Sequence, residues 1–218
     1  MPSIPRNVAF MRALYRHSAF AGSMQQGFAA RYLHRIRSSL CNENNFLVLG
    51  IESSCDDTGV AIVSSHGNVM SNIVRSQGDI HAQWGGVVPK LAQEAHMKAI
   101  DSCVEEALRD AQVTLRDIDA VAVTVGPGLS LCLRVGVSKA ADLCTHLGIE
   151  MIPIHHMEAH AMISRLVHSD LQFPFLCLLV SGGHNMLVIV EGLGQYVQLG
   201  TTLDDALGKC YLCSFFIT

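Results

Sequence analysis

The chain has 218 residues, of which half are apolar and only 16% are charged, so its composition predicts a buried core and argues against disorder. No run of about 18 uncharged apolar residues occurs, which argues against a transmembrane helix and a membrane partner. The eight cysteines show no disulfide spacing, and the single Cys-x-x-Cys pair, Cys210 and Cys213, has no second pair to complete a zinc ribbon. We therefore expect free thiols in a reducing compartment.

The N-terminal segment has a charge pattern of its own. Before Glu43 there is no acidic residue and no lysine, but there are six arginines: Arg6, Arg12, Arg16, Arg31, Arg35 and Arg37. An arginine-rich, acid-free, amphipathic start is typical of a mitochondrial transit peptide, so residues 1–45 are interpreted as one, with a basic disordered tail as the alternative. From Glu43 onward nine basic residues face nineteen acidic ones, which argues against nucleic-acid binding by this stretch alone.

Apolar runs predict where folded structure begins. Five of them are expected to form strands, at 46–51, 59–63, 69–74, 118–125 and 151–154. The turn residues 65–68 join the second and third runs and predict a hairpin. Three helices are expected: one that starts at Pro89, one that spans 129–147, and one that starts at about His156.

The pattern then restarts in the C-terminal part of the chain. Strands are predicted at 175–180, 186–190 and 196–199, and a helix is expected to begin at Asp204. One α/β unit followed by the opening of a second copy is the order of the actin-like ATPase fold, a duplicated ribonuclease-H-like fold. The predicted domains are a complete first lobe at 46–171, the start of a truncated second lobe at 172–211, and an atypical apolar tail at 212–218.

Two histidines form the sharpest candidate site. His156 and His160 are four residues apart, so a helix places them on one face, where two imidazoles can bind one divalent metal ion. The His-Glu-x-x-His helix of zinc proteases is a related pattern. Here, however, Glu158 lies about 200° around the helix from His156 and points away from the metal face. The protease interpretation is therefore excluded, and structural histidines are the remaining alternative.

Each predicted copy opens with a strand that leads into a polar turn. In the first copy, the segment 50–58 contains hydroxyl and carboxylate side chains, which can hold phosphate oxygens or a hydrated cation. In the second copy, Gly182 and Gly183 would let a phosphate or ribose approach the backbone closely. Ordinary hairpin turns are the alternative for both loops. Their equivalent positions in the two copies favour a shared ligand.

Six segments of the sequence resemble a single family. They are GIESSCDDTGVAIV, HAQWGGVVPKLAQEAH, TVGPGLSLCLRVG, IPIHHMEAHAM, LLVSGGHNMLVIV and LGTTLDDALG. They run in order from Gly50 to Gly208 and resemble the tRNA N6-adenosine threonylcarbamoyltransferases, also known as the O-sialoglycoprotein endopeptidase-like family, in particular the mitochondrial branch. The resemblance implies an actin-like fold and agrees with a mitochondrial location.

The resemblance also implies a transferase reaction. Threonylcarbamoyl-AMP would donate its threonylcarbamoyl group to the N6 amine of the adenosine 3′ of the anticodon in tRNAs that read codons beginning with A, and AMP would leave. The enzyme would contribute mainly positioning and electrostatic stabilisation. We expect the full-length form to be a homodimer.

Site residues follow from the resemblance position by position. It implies that His156 and His160 bind one divalent metal ion, without fixing whether this is zinc, iron or magnesium. It implies catalytic roles for Glu52 and Asp56 of the N-terminal motif. It assigns substrate or nucleotide binding to five consecutive residues, Val180, Ser181, Gly182, Gly183 and His184.

The resemblance ends near the C-terminus. After Gly208 the family continues with an aromatic residue and then Asp-Lys, whereas Tyr211 is followed here by Leu212 and Cys213. The family's third metal ligand, an aspartate, also has no counterpart. We therefore predict that the 218-residue chain by itself is inactive and folds poorly. The alternatives are a non-catalytic chain that binds nucleotide or pairs with a full-length copy, and an actin-fold small-molecule kinase, which the paired histidines argue against.

Overall fold

The computed structural model of the protein describes residues 46–168 and 170–204. The transit-peptide prediction for residues 1–45 and the predicted apolar tail at 212–218 lie outside the described residues. So does the helix expected from Asp204, apart from its first residue.

Five strands form the first sheet. They are β1 (Leu47–Glu52), β2 (Asp57–Ser64), β3 (Val69–Ser76), β4 (Ala120–Gly126) and β5 (Glu150–His155). The strand order is β3-β2-β1-β4-β5, in which β2 runs antiparallel to both of its neighbours while β1, β4 and β5 are parallel. The predicted hairpin is confirmed, because Ser64 N donates to Asn68 O over 2.9 Å across the turn between β2 and β3.

Four α-helices accompany these strands in the described ranges. They are α1 (Gly78–His81), α2 (Pro89–Asp110), α3 (Ser130–Leu147) and α4 (His156–Val167), with 3-10 turns at Ala82–Trp84 and Leu115–Asp117. Proline is tolerated at the first position of α2, where no helical amide bond is lost, and Gly148 ends α3 at a φ of 65°. The short α1 was not predicted, because a single turn is too short to show helical periodicity. None of the described helices is long and apolar enough to cross a membrane.

Helices cover both faces of the first sheet. On one face Leu49 and Ile51 of β1 belong to the core formed with α2 and α3, which includes Ile100. On the other face Val48 lies in a cluster with Ala159 of α4. Successive strand side chains point to opposite faces, so the uninterrupted apolar run of β1 reflects burial on both sides. The result is a three-layer α/β arrangement with the strand order of a ribonuclease-H-like unit, which confirms the predicted fold class.

A second sheet packs against the far side of α4. Its strands β6 (Phe175–Val180), β7 (Asn185–Gly192) and β8 (Gln195–Thr201) are antiparallel in the order β6-β7-β8. They confirm the three strands predicted for the restart of the pattern. Ala161 and Met162 of α4 form a core cluster with Val188 and Val190 of β7. The helix that carries the histidine pair therefore lies between the two sheets.

Candidate functional site

The histidine pair lies at the start of α4. His156 is the first residue of the helix, immediately after β5, and His160 follows one turn later. Their Nε2 atoms are 3.1 Å apart, and their rings meet edge to face with centroids 4.6 Å apart. The predicted convergence of the two side chains is confirmed.

Glu52, at the end of β1, joins this pair. Its Oε2 lies 3.3 Å from Nδ1 of His156 and also accepts a hydrogen bond from the hydroxyl of Thr124, at the end of β4. Its Oε1 accepts from the backbone amide of Ser54 over 2.6 Å. The carboxyl ends of parallel strands meet at one edge of a sheet, where ligand sites of α/β folds commonly lie. Sequence reasoning missed Thr124, although it is a polar residue at the end of an apolar strand.

The charge state of Glu52 reflects competing effects. Burial by itself raises the pKa of its carboxyl group, but hydrogen bonds from His156, Ser54 and Thr124 outweigh burial and lower the pKa to about 2. Glu52 is therefore an anion across the physiological pH range. An ionised carboxylate beside the imidazole of His156 favours hydrogen-bond donation from the ring.

The loop after β1 is held by α3 and the turn before it. Ser53 Oγ donates to Cys132 O over 2.9 Å and accepts from Gly136 N at 3.1 Å. Leu129 N donates to Ser54 O over 2.7 Å. A Cβ atom at Gly128 would lie 2.6 Å from Ser54 O, so glycine is required for this close approach. The hydroxyl of Ser53 is thus engaged within the fold, and the expectation that it could hold phosphate is not supported for this side chain.

A buried histidine clamps the same loop from α2. His96 is fully buried, with Nε2 3.1 Å from Cys55 O and Nδ1 2.7 Å from Thr58 Oγ1. Because a carbonyl only accepts, Nε2 carries the proton and Nδ1 accepts from the Thr58 hydroxyl. Burial lowers the pKa of His96, which favours this neutral form. Sequence reasoning missed His96, although it lies one turn after the buried Ala92 on the same helical face.

Asp56 lies in the same loop. Its carbonyl accepts a hydrogen bond from Gln77 N at 3.0 Å. Its carboxylate interacts electrostatically with the neighbouring Cys55 thiol. Local desolvation and the charge of Asp56 raise the pKa of Cys55 to about 11.

Within 46–168 and 170–204, no group of three or more His, Cys, Asp or Glu side chains is arranged to hold a metal ion.

The loop between β6 and β7 closes on itself. Ser181 Oγ donates to His184 O over 2.7 Å and accepts from His184 N at 3.0 Å, and His184 Nε2 lies 2.7 Å from Thr201 Oγ1. A Cβ atom at Gly182 or Gly183 would meet nothing within 4 Å. The side chain of Ser181 is engaged in the turn, and the backbone of Gly182 and Gly183 is exposed.

Glu158 points away from the histidine pair, as predicted. Its Oε1 accepts from Gly194 N over 2.9 Å and from the hydroxyl of Tyr196 over 2.7 Å. Both donors belong to the turn and first residues of β8. The glutamate within the histidine motif therefore binds the second sheet, which agrees with the exclusion of a protease mechanism.

A sequence comparison identifies the family. A profile of the family TsaD, tRNA N6-adenosine threonylcarbamoyltransferase, matches residues 68–213. The chain belongs to this family. The match includes the histidine helix and the β6–β7 loop.

Individual relatives carry the same name. A protein of Arabidopsis thaliana, "Probable tRNA N6-adenosine threonylcarbamoyltransferase, mitochondrial", is 53% identical over 169 residues, which cover 78% of this chain and 35% of the relative. A Drosophila melanogaster protein of the same name is 47% identical, and the match covers 75% of this chain and 40% of the relative. A Rhizobium etli tRNA N6-adenosine threonylcarbamoyltransferase is 48% identical, and the match covers 75% of this chain and 46% of the relative. The chain thus spans less than half the length of these three relatives.

Solved structures show more distant similarity. YeaZ from Pseudomonas aeruginosa superposes with a TM-score of 0.48 at 16% identity, covering 71% of this chain and 64% of that protein. The ethanolamine utilization protein EutJ from Carboxydothermus hydrogenoformans gives a TM-score of 0.46 at 9% identity, with 78% and 57% covered.

Proposed function

We propose that this chain takes part in forming N6-threonylcarbamoyladenosine in tRNA. In this reaction the threonylcarbamoyl group moves from threonylcarbamoyl-AMP to the N6 amine of the adenosine 3′ of the anticodon, in tRNAs that read codons beginning with A. A carbon–nitrogen bond forms, the bond from the carbamoyl carbon to the AMP phosphate oxygen breaks, and the amine loses a proton. The observation that carries the proposal is the family match over residues 68–213.

His156 and His160 are the proposed ligands of one divalent metal ion. Two imidazole nitrogens that share an ion at about 2.0–2.1 Å each, at angles between octahedral and tetrahedral, lie about 2.9–3.4 Å apart. The separation of 3.1 Å between the two Nε2 atoms fits this range. A bound divalent ion would act as a Lewis acid that polarises a substrate oxygen. The remaining coordination positions would be taken by water, by substrate or by ligands beyond the described residues.

The two loops at the strand ends are the proposed donor-binding elements. The backbone of Val180–His184 would approach the nucleotide, because Gly182 and Gly183 leave the space above them open. Asp56 would lie close to the donor, on a loop whose carbonyl groups are fixed by His96, Gln77 and Leu129. A loop held at three points loses little freedom on binding, which favours positioning of the two reactants.

The test is formation of the modified nucleoside. The chain is incubated with threonylcarbamoyl-AMP, a divalent ion and a tRNA transcript that reads an A-starting codon, and digested nucleosides are analysed by mass spectrometry. The control transcript carries guanosine in place of the target adenosine, and the control variant is His156→Ala/His160→Ala. Product that requires both the adenosine and the histidine pair supports the proposal. Absence of product from the chain, together with an unchanged product yield when the chain is added to a full-length relative, contradicts it.

A non-catalytic, nucleotide-binding or pairing role is the second candidate. It is favoured by the exposed apolar residues of β6, since Leu176, Leu178 and Val180 are 62%, 58% and 53% exposed. Exposed apolar patches commonly mark interaction surfaces. Titration of the chain with a divalent ion and threonylcarbamoyl-AMP discriminates between the two, because binding without transfer supports the second candidate.

We further propose a mitochondrial location. The supporting observations are the arginine-rich residues 1–45 and the mitochondrial names of the Arabidopsis and Drosophila relatives. Residues 1–45 fused to a fluorescent protein should reach mitochondria, whereas the same fusion with its six arginines replaced by glutamine should not. A cytosolic signal from the unaltered fusion would contradict this location.

A further inference from the structure

Glu52 is the point where three elements meet. Its carboxylate receives the amide of Ser54 in the loop after β1, the hydroxyl of Thr124 at the end of β4, and Nδ1 of His156 at the start of α4. The first two donors hold the carboxylate in place from within the first sheet. Its side chain is only 15% exposed, so water competes little for these bonds.

The tautomer of His156 follows from this neighbour. Nδ1 of His156 lies 3.3 Å from Glu52 Oε2, and an ionised carboxylate oxygen can only accept a hydrogen bond. Nδ1 must therefore carry a proton, and in the neutral ring this leaves the lone pair on Nε2. That atom lies 3.1 Å from Nε2 of His160, the position proposed for the metal ion.

Ser54 could not fix the tautomer by itself. Its Oγ also lies 3.3 Å from Nδ1 of His156, but a hydroxyl can accept from a protonated ring nitrogen or donate to a bare one. Both tautomers are compatible with Ser54, whereas only one is compatible with Glu52. The negative charge of Glu52 decides between them.

We propose that Glu52 is a positioning residue, which holds His156 as the Nδ1–H tautomer and so presents Nε2 to a divalent metal ion shared with His160. This inference rests on the metal site in the proposed function. It assigns Glu52 an indirect role in place of the catalytic role expected from its motif. Carboxylates that accept from metal-binding histidines commonly act in this way, and their loss weakens metal affinity by about 10- to 100-fold.

The geometry separates this role from direct coordination. Glu52 contacts Nδ1, whereas the pair of nitrogens proposed for the metal are the two Nε2 atoms. In the part of the chain that the structure describes, Glu52 does not form a three-residue metal-binding group with His156 and His160. The carboxylate thus contacts a different ring nitrogen from the one proposed to bind the ion.

Glu52→Gln is the decisive substitution. The amide keeps the size of the side chain but replaces one accepting oxygen with an NH2 group. Either Ser54 N loses its acceptor, or Thr124 Oγ1 and His156 Nδ1 both do. If the NH2 group faces His156, Nδ1 must accept instead of donate, and the proton moves to Nε2, where it blocks the metal. Glu52→Asp keeps the charge on a shorter chain and should retain more of the wild-type behaviour.

Two measurements on the intact 218-residue chain test the proposal. Long-range proton–nitrogen NMR correlation without metal reports the His156 tautomer, assigned by the signals lost in His156→Ala. Visible absorption during titration with Co²⁺ reports metal affinity. We expect the Nδ1–H tautomer in the wild-type chain, a shift towards Nε2–H in Glu52→Gln, and Co²⁺ binding weakened about 10- to 100-fold.

The control is Asp119→Asn, which removes a carboxylate that accepts from Leu47 N over 2.8 Å at the opposite end of β1. It should leave the His156 tautomer and Co²⁺ affinity unchanged. An unchanged tautomer and unchanged Co²⁺ affinity in Glu52→Gln overturn the positioning role; if that variant does not fold, the same comparison is made with Glu52→Ala, which also removes the carboxylate. If the wild-type chain binds no Co²⁺, the proposed metal site fails, while a Glu52-dependent tautomer still supports the effect of Glu52 on His156.

Discussion

At the scale of single residues, the loop after β1 shows how neighbours set chemical reactivity. Cys55 is exposed at the surface, yet desolvation at its sulfur and the charge of Asp56 raise its pKa from 9.0 to about 11. Exposure by itself would predict a reactive thiol. The local electrostatics predict a slowly reacting thiol, because the thiolate is the nucleophile and a raised pKa lowers its fraction.

Alkylation of Cys55 should therefore be slow in the folded chain. At pH 8 the thiolate fraction falls about 100-fold relative to an ordinary cysteine, and the greater nucleophilicity of a more basic thiolate recovers about tenfold, so the net rate should be about tenfold lower. Asp56→Asn should raise the rate several-fold. Iodoacetamide labelling followed by peptide mass spectrometry measures this, with the urea-unfolded chain as the control. Equal rates in the folded and unfolded chains would show the prediction to be wrong.

Gly128 should not tolerate a side chain. A Cβ atom there would lie 2.6 Å from Ser54 O and 2.8 Å from Ser54 Cβ, so the backbone of the loop must shift. Gly128→Ala should destabilise the fold by about 1–3 kcal/mol, the usual cost of overpacking. Urea unfolding measures the change. Gly86→Ala is the matched control, because its added Cβ meets nothing within 4 Å, and an equal effect of the two substitutions would refute the explanation.

At the scale of elements, α4 connects the two sheets through both of its faces. Ala159 packs towards the first sheet, and Met162 packs against the second. Polar contacts add to this, because Glu158 accepts hydrogen bonds from Gly194 and Tyr196 of the second sheet. The same contact further raises the pKa of the Tyr196 phenol, already raised by burial, so the hydroxyl remains protonated and donates.

Removing the Tyr196 hydroxyl should loosen the second sheet selectively. Tyr196→Phe should cost about 0.5–1.5 kcal/mol, the net value of a typical hydrogen bond. The expected readout is faster hydrogen exchange in β7 and β8, with little change in β1 and β4. In a double-mutant cycle with Glu158→Gln, the two effects should be non-additive, since the groups form one contact. Additive effects would mean that the contact does not stabilise the docking of the sheet.

At the scale of the whole molecule, the second sheet is covered on one face only within the described residues. Phe175 and Cys177 belong to the cluster with α4, whereas Leu176, Leu178 and Val180 are more than half exposed. Alternation along β6 places these three residues on the opposite face. An apolar sheet face beside an edge strand favours self-association.

Self-association should depend on this face. Leu178→Lys should lower the apparent mass of the 218-residue chain in light scattering at high concentration, because a charge in the patch opposes its burial. Val69→Lys, on β3 of the first sheet, is the control, since Val69 is also partly exposed at 40%. If the two substitutions change the apparent mass equally, the β6 face is not the site of association.

The sequence by itself determined the order of the strands and the longer helices, and the family. Strands such as β1 and β4 were predictable, because apolar periodicity is a local property of the chain. The i, i+4 spacing likewise placed His156 and His160 on one helical face. Only the tertiary structure decided which polar groups surround them. Glu52 meets His156 across 104 residues and Thr124 across 72, and no local pattern encodes contacts of that separation. The hydrogen bond between His96 and Cys55 could not be predicted for the same reason, because burial of a polar side chain depends on which partner the folded sheet brings to it.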